Sequence, residues 1–188
     1  MIPVRENQQE AVMKEISIHD LQLNPFDLFG KDWLALTAGN ETDGYNTMTI
    51  AWGQLGAIWG KEHDHGPMPT VVCYVRPSRY TRQFVDKEEL FTLSRFPEQY
   101  RHALGYIGSH SGRDENKIEK AGLTPVFTDG TVTFQEADLV FVCRKIYAQD
   151  LQAESFMDKT LIDANYPLRD FHTMYIGEIL KVYRQEQS

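Results

Sequence analysis

The chain has 188 residues, a length typical of one domain, and its 41% hydrophobic and 24% charged residues are typical of a globular protein. Its formal net charge is −8, from 19 basic and 27 acidic residues. This charge disfavours nucleic acid as the main partner, because binding to a phosphate backbone requires a basic surface. The sequence shows no secretory signal, and no apolar run reaches the ~18–20 residues that cross a bilayer. We therefore expect a cytoplasmic protein without a membrane partner.

The elements predicted along the chain are mostly strands within a single domain of residues 1–188, in which the polar residues 1–12 form an N-terminal arm. Alternating or continuous apolar residues predict strands over 33–39, 45–53, 70–77, 90–96, 131–134, 137–151 and 171–185, with a further short one at 56–60. Helical spacing predicts short helices over 80–89, 97–111 and 113–123, and residues 155–167 are irregular or briefly helical. Helices do not alternate regularly with strands, so the sequence favours a mainly β fold, a small antiparallel barrel with inserted short helices.

Several common site types find no support in the sequence. Cys73 and Cys143 lie in apolar, strand-like runs, and we interpret them as small core residues rather than as a disulfide. His63, Asp64 and His65 resemble metal ligands, but no second ligand cluster accompanies them, so we predict a polar loop (61–69) and no metal. The chain has no G-x-G-x-x-G, P-loop or G-x-S-x-G motif, which removes the usual support for a Rossmann fold, a P-loop NTPase or an α/β-hydrolase.

The predicted strand at 45–53 carries an unusual number of polar groups. Asn46, Thr47 and Thr49 offer side-chain donors and acceptors beside the backbone amides of a strand edge. Such a set suits a planar heterocycle with several ring nitrogens and carbonyls. Threonines also favour strands for their shape alone, and from the residues alone an ordinary half-buried strand is the favoured interpretation.

A basic cluster follows the strand at 70–77. Arg76, Ser78, Arg79 and Thr81 lie at the junction between this strand and the predicted helix at 80–89. Arginine forks and the backbone N–H groups that begin a helix both favour a phosphate group. The alternative is a helix cap with two surface arginines.

Two later features each have two interpretations. The loop that carries Ser111, Arg113 and Lys117 offers hydroxyl and cationic groups to an anion, but it also fits a solvated run of charges. His172 enters the last predicted strand, where it is either a core histidine or, near a cofactor, a donor of a proton or a hydrogen bond.

In order and spacing, these segments resemble the flavin reductase-like FMN-binding split-barrel family, including its flavoredoxin-like members. The resemblance covers residues 34–182. It is carried by the sequences NTMTIAWG (46–53), VVCYVRPSRYT (71–81), FTLSRFPEQYRHALGYIGSHSGRDENK (91–117) and HTMYIGEI (172–179).

The resemblance implies an antiparallel Greek-key split barrel and a homodimer with FMN at the subunit interface. It also implies the residues that would hold the cofactor. Those lining the flavin ring and its side chain would be Asn46, Thr47, Met48, Thr49, Ala51 and Trp52. The phosphate would be held by Arg76, Ser78, Arg79 and Thr81, with Ser111, Arg113 and Lys117 near the flavin or its phosphate. His172, in a His-x-x-x-x-Gly pattern with Gly177, would lie beside the flavin and nicotinamide site as the candidate catalytic residue.

The implied function is that of an oxidoreductase that passes electrons from NADH or NADPH to flavin and on to a small-molecule acceptor. No protein nucleophile is needed for this chemistry, in agreement with the lack of a catalytic triad in the sequence. Two alternatives stay open: a flavin-binding electron carrier with little nicotinamide activity, and a noncatalytic split-barrel binding protein.

Overall fold

The computed structural model describes residues 13–60 and 66–186. In these residues the strands are β1 (Met13–Ile16), β2 (Leu34–Asn40), β3 (Gly44–Ile50), β4 (Gly53–Ile58), β5 (Met68–Val75), β6 (Leu90–Arg95), β7 (Pro125–Thr128), β8 (Thr131–Phe134), β9 (Leu139–Asp150) and β10 (Thr173–Gln185). The α-helices are α1 (Pro25–Asp27), α2 (Thr81–Lys87), α3 (Arg101–Ser109), α4 (Lys117–Lys120) and α5 (Thr160–Asn165). A π-turn (Leu28–Asp32) and three 3₁₀ turns (Ile18–Asp20, Glu98–Tyr100, Ala153–Ser155) complete the elements.

One antiparallel sheet forms the body of the fold. Its strands follow the order β3-β2-β6-β9-β10-β5-β4, and β7 and β8 form a separate hairpin. The 13-residue β10 pairs along one edge with β5 over Thr173–Glu178 and with β1 over Val182–Gln185. The end strands β3 and β4 are joined through only Ala51 and Trp52, so the sheet must curl until its two edges approach each other. The result is a split barrel.

Two layers of buried side chains hold the barrel together. Alternate residues of a strand point to opposite faces, and in β9 Phe141 lies in the barrel interior while Val140 lies in a second cluster outside it. The second cluster includes Leu104 and Ile107 of α3, so this helix covers the outer face of the sheet. Each fully buried side chain of this size contributes about 1.5–3 kcal/mol.

The structure confirms the mainly β, antiparallel fold class. Cys73 and Cys143 are buried and free, as predicted. No helix in the described residues is long and apolar enough to span a membrane. The predicted arm at 1–12 and the histidines of the 61–69 loop lie outside the described residues.

Several predicted boundaries were wrong. The strand predicted over 45–53 ends at Ile50, and β4 begins at Gly53, where a Cβ would overlap the ring of Phe29. The strand predicted over 70–77 begins earlier, at Met68. The helix predicted over 113–123 shrinks to the single turn of α4, and the short strands β1 and β7 were not predicted. Short strands and helix ends depend on tertiary packing more than on local pattern.

Candidate functional site

Three separate segments meet around a small cavity of ≈ 90 Å³. They are β3, the turn between β5 and α2, and the loop between α3 and α4. The lining residues are Met48, Ser78, Arg79, Tyr80, Thr81, Ser109, His110, Ser111 and Lys117. The two hydroxyl- and cation-rich segments, 78–81 and 109–117, are separated in the sequence and converge on one place in the fold.

The turn after β5 sends its two arginines to different partners. The N–H of Arg79 donates to the carbonyl oxygen of Arg76 at 3.1 Å, which closes a tight turn around Pro77 and Ser78. The Arg79 guanidinium donates to the Gly108 carbonyl at the end of α3, at 2.9 Å. It thereby links the turn to the helix and stands at the cavity.

Arg76 instead contacts the segment that precedes β10. Its guanidinium donates to the carboxylate of Asp170 at 2.7 Å and to the backbone carbonyl of Asn165 at 2.8 Å. It also lies 5.2 Å from the ring centroid of Tyr166. Arg76 does not line the small cavity. Its contact with a phosphate stays a prediction, and the geometry favours Arg79 over Arg76 for that role.

The loop after α3 packs closely on β3. A Cβ on Gly112 would overlap the Asn46 side-chain oxygen, so only glycine fits without displacing Asn46. The Asn46 amide donates to the Thr81 hydroxyl at 2.9 Å. The Arg113 guanidinium lies over the Tyr80 ring, 4.6 Å from its centroid. Asn46 and Arg113 are thus neighbours of the cavity that brace its walls.

Lys117 is a buried cation at this site. Only 4% of the residue is exposed, and its ammonium donates to the carbonyls of Ile107 at 2.8 Å and His110 at 3.0 Å. Burial lowers the pKa of Lys117 to about 8, and the nearby Arg79 guanidinium acts in the same direction. An ammonium has three N–H donors, so one remains for an anion in the cavity.

The polar side chains of β3 are largely used within the fold. Thr47 is fully buried, and its hydroxyl accepts a hydrogen bond from the Thr37 hydroxyl at 2.8 Å and donates to the carbonyl of Leu36 at 3.3 Å. The hydroxyl of Thr49 donates to the Leu104 carbonyl of α3. Because β3 is an end strand that pairs with β2 alone among the described strands, the backbone groups of alternate residues on its other edge pair with no strand.

His172 lies at the start of β10 in an aromatic surrounding. Its Nδ1 is 2.9 Å from the Tyr166 hydroxyl, and its ring centroid is 4.8 Å from that of Trp52. Burial lowers the pKa of His172 to about 4, and the Arg76 guanidinium contributes in the same direction. The imidazole is therefore neutral at pH 7.

Ala51 and Trp52 also border a second, apolar groove of ≈ 450 Å³. Its walls include the rings of Phe26, Phe29 and Tyr74. Trp52 is 44% exposed, so one face of its indole is accessible while the other contacts His172. Trp52 thus connects the groove to the histidine.

The sequence analysis did not identify Tyr166, Asp170 or Gly112 as site residues. Asp170 and Tyr166 precede His172 closely, and an acid and a phenol next to a histidine were the available signal. The described residues contain no group of three or more His, Cys, Asp or Glu side chains that would hold a metal. His63, Asp64 and His65 lie outside them.

The curled antiparallel sheet with short inserted helices is shared with solved split-barrel structures. An FMN-binding domain of a flavin reductases-like enzyme from Shewanella baltica OS155 is similar with a TM-score of 0.64 at 13% identity, covering 95% of this chain and 80% of that chain. Flavoredoxin of Desulfovibrio vulgaris (Miyazaki F) is similar with a TM-score of 0.61 at 20% identity, covering 92% and 78%. Nitrilotriacetate monooxygenase component B from Bacillus cereus has a TM-score of 0.60 at 15% identity, covering 99% and 82%.

The family is shown by a comparison of the sequence with a family model. The family model described as "Flavin reductase like domain" matches residues 34–188. The chain therefore belongs to the flavin reductase-like family, as the sequence resemblance predicted. A comparison with curated proteins gives no match.

Proposed function

We propose that this protein is an FMN-binding, flavin reductase-like oxidoreductase that receives electrons from NADH or NADPH. The observation that carries the proposal is the convergence of Ser78, Arg79, Ser111 and Lys117 on one small cavity beside the end strand β3. The family membership and the FMN-binding relatives of the same fold support it.

The donor set of the cavity fits a phosphate group. Arg79 and Lys117 supply positive charge, and the hydroxyls of Ser78 and Ser111 supply neutral donors. The volume of ≈ 90 Å³ is well below the ~300–1,000 Å³ of pockets that enclose a whole ligand. The cavity therefore suits the phosphate end of FMN, and the flavin ring would lie outside it.

The edge of β3 and the region around Trp52 fit the ring. Asn46, Thr47, Met48 and Thr49 would line the ring. Because the Thr47 hydroxyl is bonded within the fold, and only alternate residues of a strand turn their backbone groups away from β2, the backbone of two of these residues would meet the ring nitrogens and carbonyls. Ala51 and Trp52 would continue the wall of the site. When bound, FMN would supply the two-electron chemistry, which no side chain of the site provides.

The protein's own part is to bind FMN, to orient it and to shield it from water. Neutral His172 offers a hydrogen bond at the ring end, and the positive charge of Arg79 at the cavity contributes to lowering the pKa of both Lys117 and His172. No covalent step on the protein is required by this scheme.

The proposal includes a homodimer in the cytoplasm. The indole of Trp52 is 44% exposed, which leaves part of the ring end of the site uncovered in one chain. A second copy would cover it. Light scattering of the eluting protein should give twice 21.7 kDa, whereas a mass of 21.7 kDa in the FMN-loaded protein would exclude the interface site.

One experiment tests the function. The purified protein is mixed with FMN, freed of unbound flavin and placed under anaerobic conditions with NADH or NADPH. We expect a yellow protein whose visible absorption bleaches with at least one of the two donors. A protein that stays colourless would overturn FMN binding altogether, and a yellow protein that bleaches with neither donor would leave only the electron-carrier alternative.

A further inference from the structure

The hydrogen bond between Tyr166 and His172 is buried. The two residues are 3% and 9% exposed, and the phenol oxygen is 2.9 Å from Nδ1 of the imidazole. Tyr166 follows α5 directly, and its backbone N–H donates to the Ile162 carbonyl at 2.7 Å. The phenol is therefore anchored by the helix before it, and the histidine by the strand after it.

The direction of this hydrogen bond follows from its surroundings. A phenol can donate one hydrogen and accept others, whereas neutral imidazole has one N–H and one bare nitrogen. Among the described residues, Nδ1 of His172 is the only group that can accept from the Tyr166 hydroxyl, so a hydroxyl that accepted from Nδ1–H would leave its own hydrogen buried without an acceptor. The hydroxyl hydrogen therefore points at Nδ1, which must be the bare nitrogen, and Nε2 carries the imidazole hydrogen.

Ring packing keeps the imidazole in this orientation. The indole of Trp52 lies on one side at 4.8 Å between centroids, and the Tyr166 ring stands edge-on at 5.5 Å. The Phe171 ring packs against Tyr166 at 4.7 Å. Among the described residues Nε2 has no hydrogen-bond partner, so it is the ring nitrogen left for a ligand.

Arg76 holds the segment that carries both rings. Its two contacts, to the carbonyl of Asn165 and to the carboxylate of Asp170, bracket Tyr166 and end close to His172. The guanidinium also lies over the Tyr166 ring at 5.2 Å from the centroid. One side chain of the β5–α2 turn thus closes the loop that leads into β10.

We propose that Tyr166 is a positioning residue that fixes His172 as the neutral Nε2–H tautomer, and that Arg76 positions Tyr166. Nε2 then donates a hydrogen bond to an acceptor atom of the ligand, such as a carbonyl oxygen or an unprotonated ring nitrogen. The tautomer is a property of the protein without a ligand, but the hydrogen bond from Nε2 to a ligand rests on the proposed function.

The charges around the imidazole agree with a neutral donor. Burial, Arg76 and Arg79 lower the pKa of His172, and only Asp170 acts against them. Burial raises the pKa of Tyr166, so the phenol keeps its hydrogen for Nδ1. His172 therefore gives a hydrogen bond near neutral pH rather than a proton.

Nitrogen-detected NMR of the imidazoles of the full-length protein tests the tautomer. We expect Nε2–H in His172 of the wild type, and in Tyr166→Phe a fall of about fivefold in the ratio of Nε2–H to Nδ1–H, the size expected for one hydrogen bond. The control Tyr147→Phe removes the exposed hydroxyl of Tyr147, which bonds to Gln149, and should leave His172 unchanged. A wild-type Nδ1–H tautomer, or an unchanged ratio in Tyr166→Phe, would overturn the inference.

A second NMR measurement distinguishes failure of this inference from failure of the proposed function. On addition of FMN, the Nε2–H proton signal of His172 should move downfield in the wild type. If FMN binds and the signal does not move, the donor role is wrong although FMN binding stands. If FMN does not bind but the tautomer behaves as expected, the proposed function fails and the positioning by Tyr166 stands.

Discussion

The guanidinium of Arg76 forms an ion pair with Asp170 at 2.7 Å, while Arg79, from the same turn, bonds to the end of α3. Two arginines that look equivalent in the sequence therefore serve opposite ends of the candidate site. Arg79 stands at the cavity that suits a phosphate, and Arg76 supports the segment before His172. Substitutions of the two arginines should therefore have different effects on FMN binding.

Replacing Arg79 by alanine should weaken FMN binding more than replacing Arg76. Loss of a charge-assisted hydrogen bond costs about 1.5–3 kcal/mol, or about 10- to 100-fold in Kd. Fluorescence titration of the purified variants with FMN measures the change. Riboflavin, which lacks the phosphate, should bind Arg79→Ala and wild type alike.

Arg184 provides the matched control for this comparison. It is exposed near the end of β10, away from the cavity, so Arg184→Ala should retain wild-type affinity for FMN. Equal losses for FMN and riboflavin in Arg79→Ala would show that the residue does not act on the phosphate.

The affinity for FMN should also depend on pH through Lys117. The pKa of this lysine is about 8 in the free protein, and a bound phosphate favours its charged form. Above about pH 8 the free protein has lost that proton, so binding must take one up, and Kd should rise by up to about tenfold per pH unit. Titrations between pH 7 and 9.5 measure the slope. Lys117→Met should bind FMN weakly with a flat profile, and a flat profile in the wild type would contradict the assignment.

The barrel could be predicted from the sequence because the local residue pattern of its long strands is sufficient to identify them. β9 and β10 are rich in β-branched and aromatic residues and extend over 12 and 13 positions, which favours long strands over short helices. The break between β3 and β4 could not be predicted. The apolar run continues through Ala51 and Trp52, and the chain turns where Phe29, from a distant segment, packs on Gly53.

Some residues of the candidate site could likewise be predicted from the sequence, and others could not. The resemblance brought out Ser78, Arg79 and Lys117, which do line one cavity. It could not show that Arg76 bonds to Asp170, because 94 positions separate them and only the folded barrel brings them together. For Tyr166 the available local signal was a phenol 6 residues before His172, and it could not show that the two side chains bond to each other.

The contact between Gly112 and Asn46 predicts a sharp effect of one methyl group. In Gly112→Ala the new Cβ overlaps the Asn46 side chain, whose amide bonds to Thr81. We expect a loss of about 1–3 kcal/mol in the free energy of unfolding, as in other overpacked sites, together with weaker FMN binding. Urea denaturation and FMN titration measure the two effects.

Gly105 is the matched control for that substitution. It lies within α3, and a Cβ there meets no atom within 4 Å. Gly105→Ala should therefore stabilise the protein by about 0.5–1 kcal/mol, since alanine favours a helix and loses less entropy on folding. A larger loss in Gly105→Ala than in Gly112→Ala would refute the proposed packing of the loop on β3.

Neutral His172 should make the protein sensitive to acid. Its pKa is about 4 in the folded protein, below the ordinary 6.5, so the unfolded chain binds a proton first as the pH falls. The free energy of unfolding should therefore decrease between pH 6.5 and 4, by about 3 kcal/mol at most. His172→Gln should lose this part of the pH dependence, whereas His102→Gln, at an exposed position on α3, should keep it.

The neighbours of His172 should shift its pKa in opposite directions. Arg76→Gln removes a positive charge and should raise the pKa of His172, and Asp170→Asn removes a negative charge and should lower it. Both variants also break the same ion pair, so mere loosening of the segment before β10 would expose the imidazole and raise the pKa in both. NMR titration of His172 in the two variants distinguishes these cases, and a rise in both would mean that Arg76 and Asp170 matter to His172 only through packing.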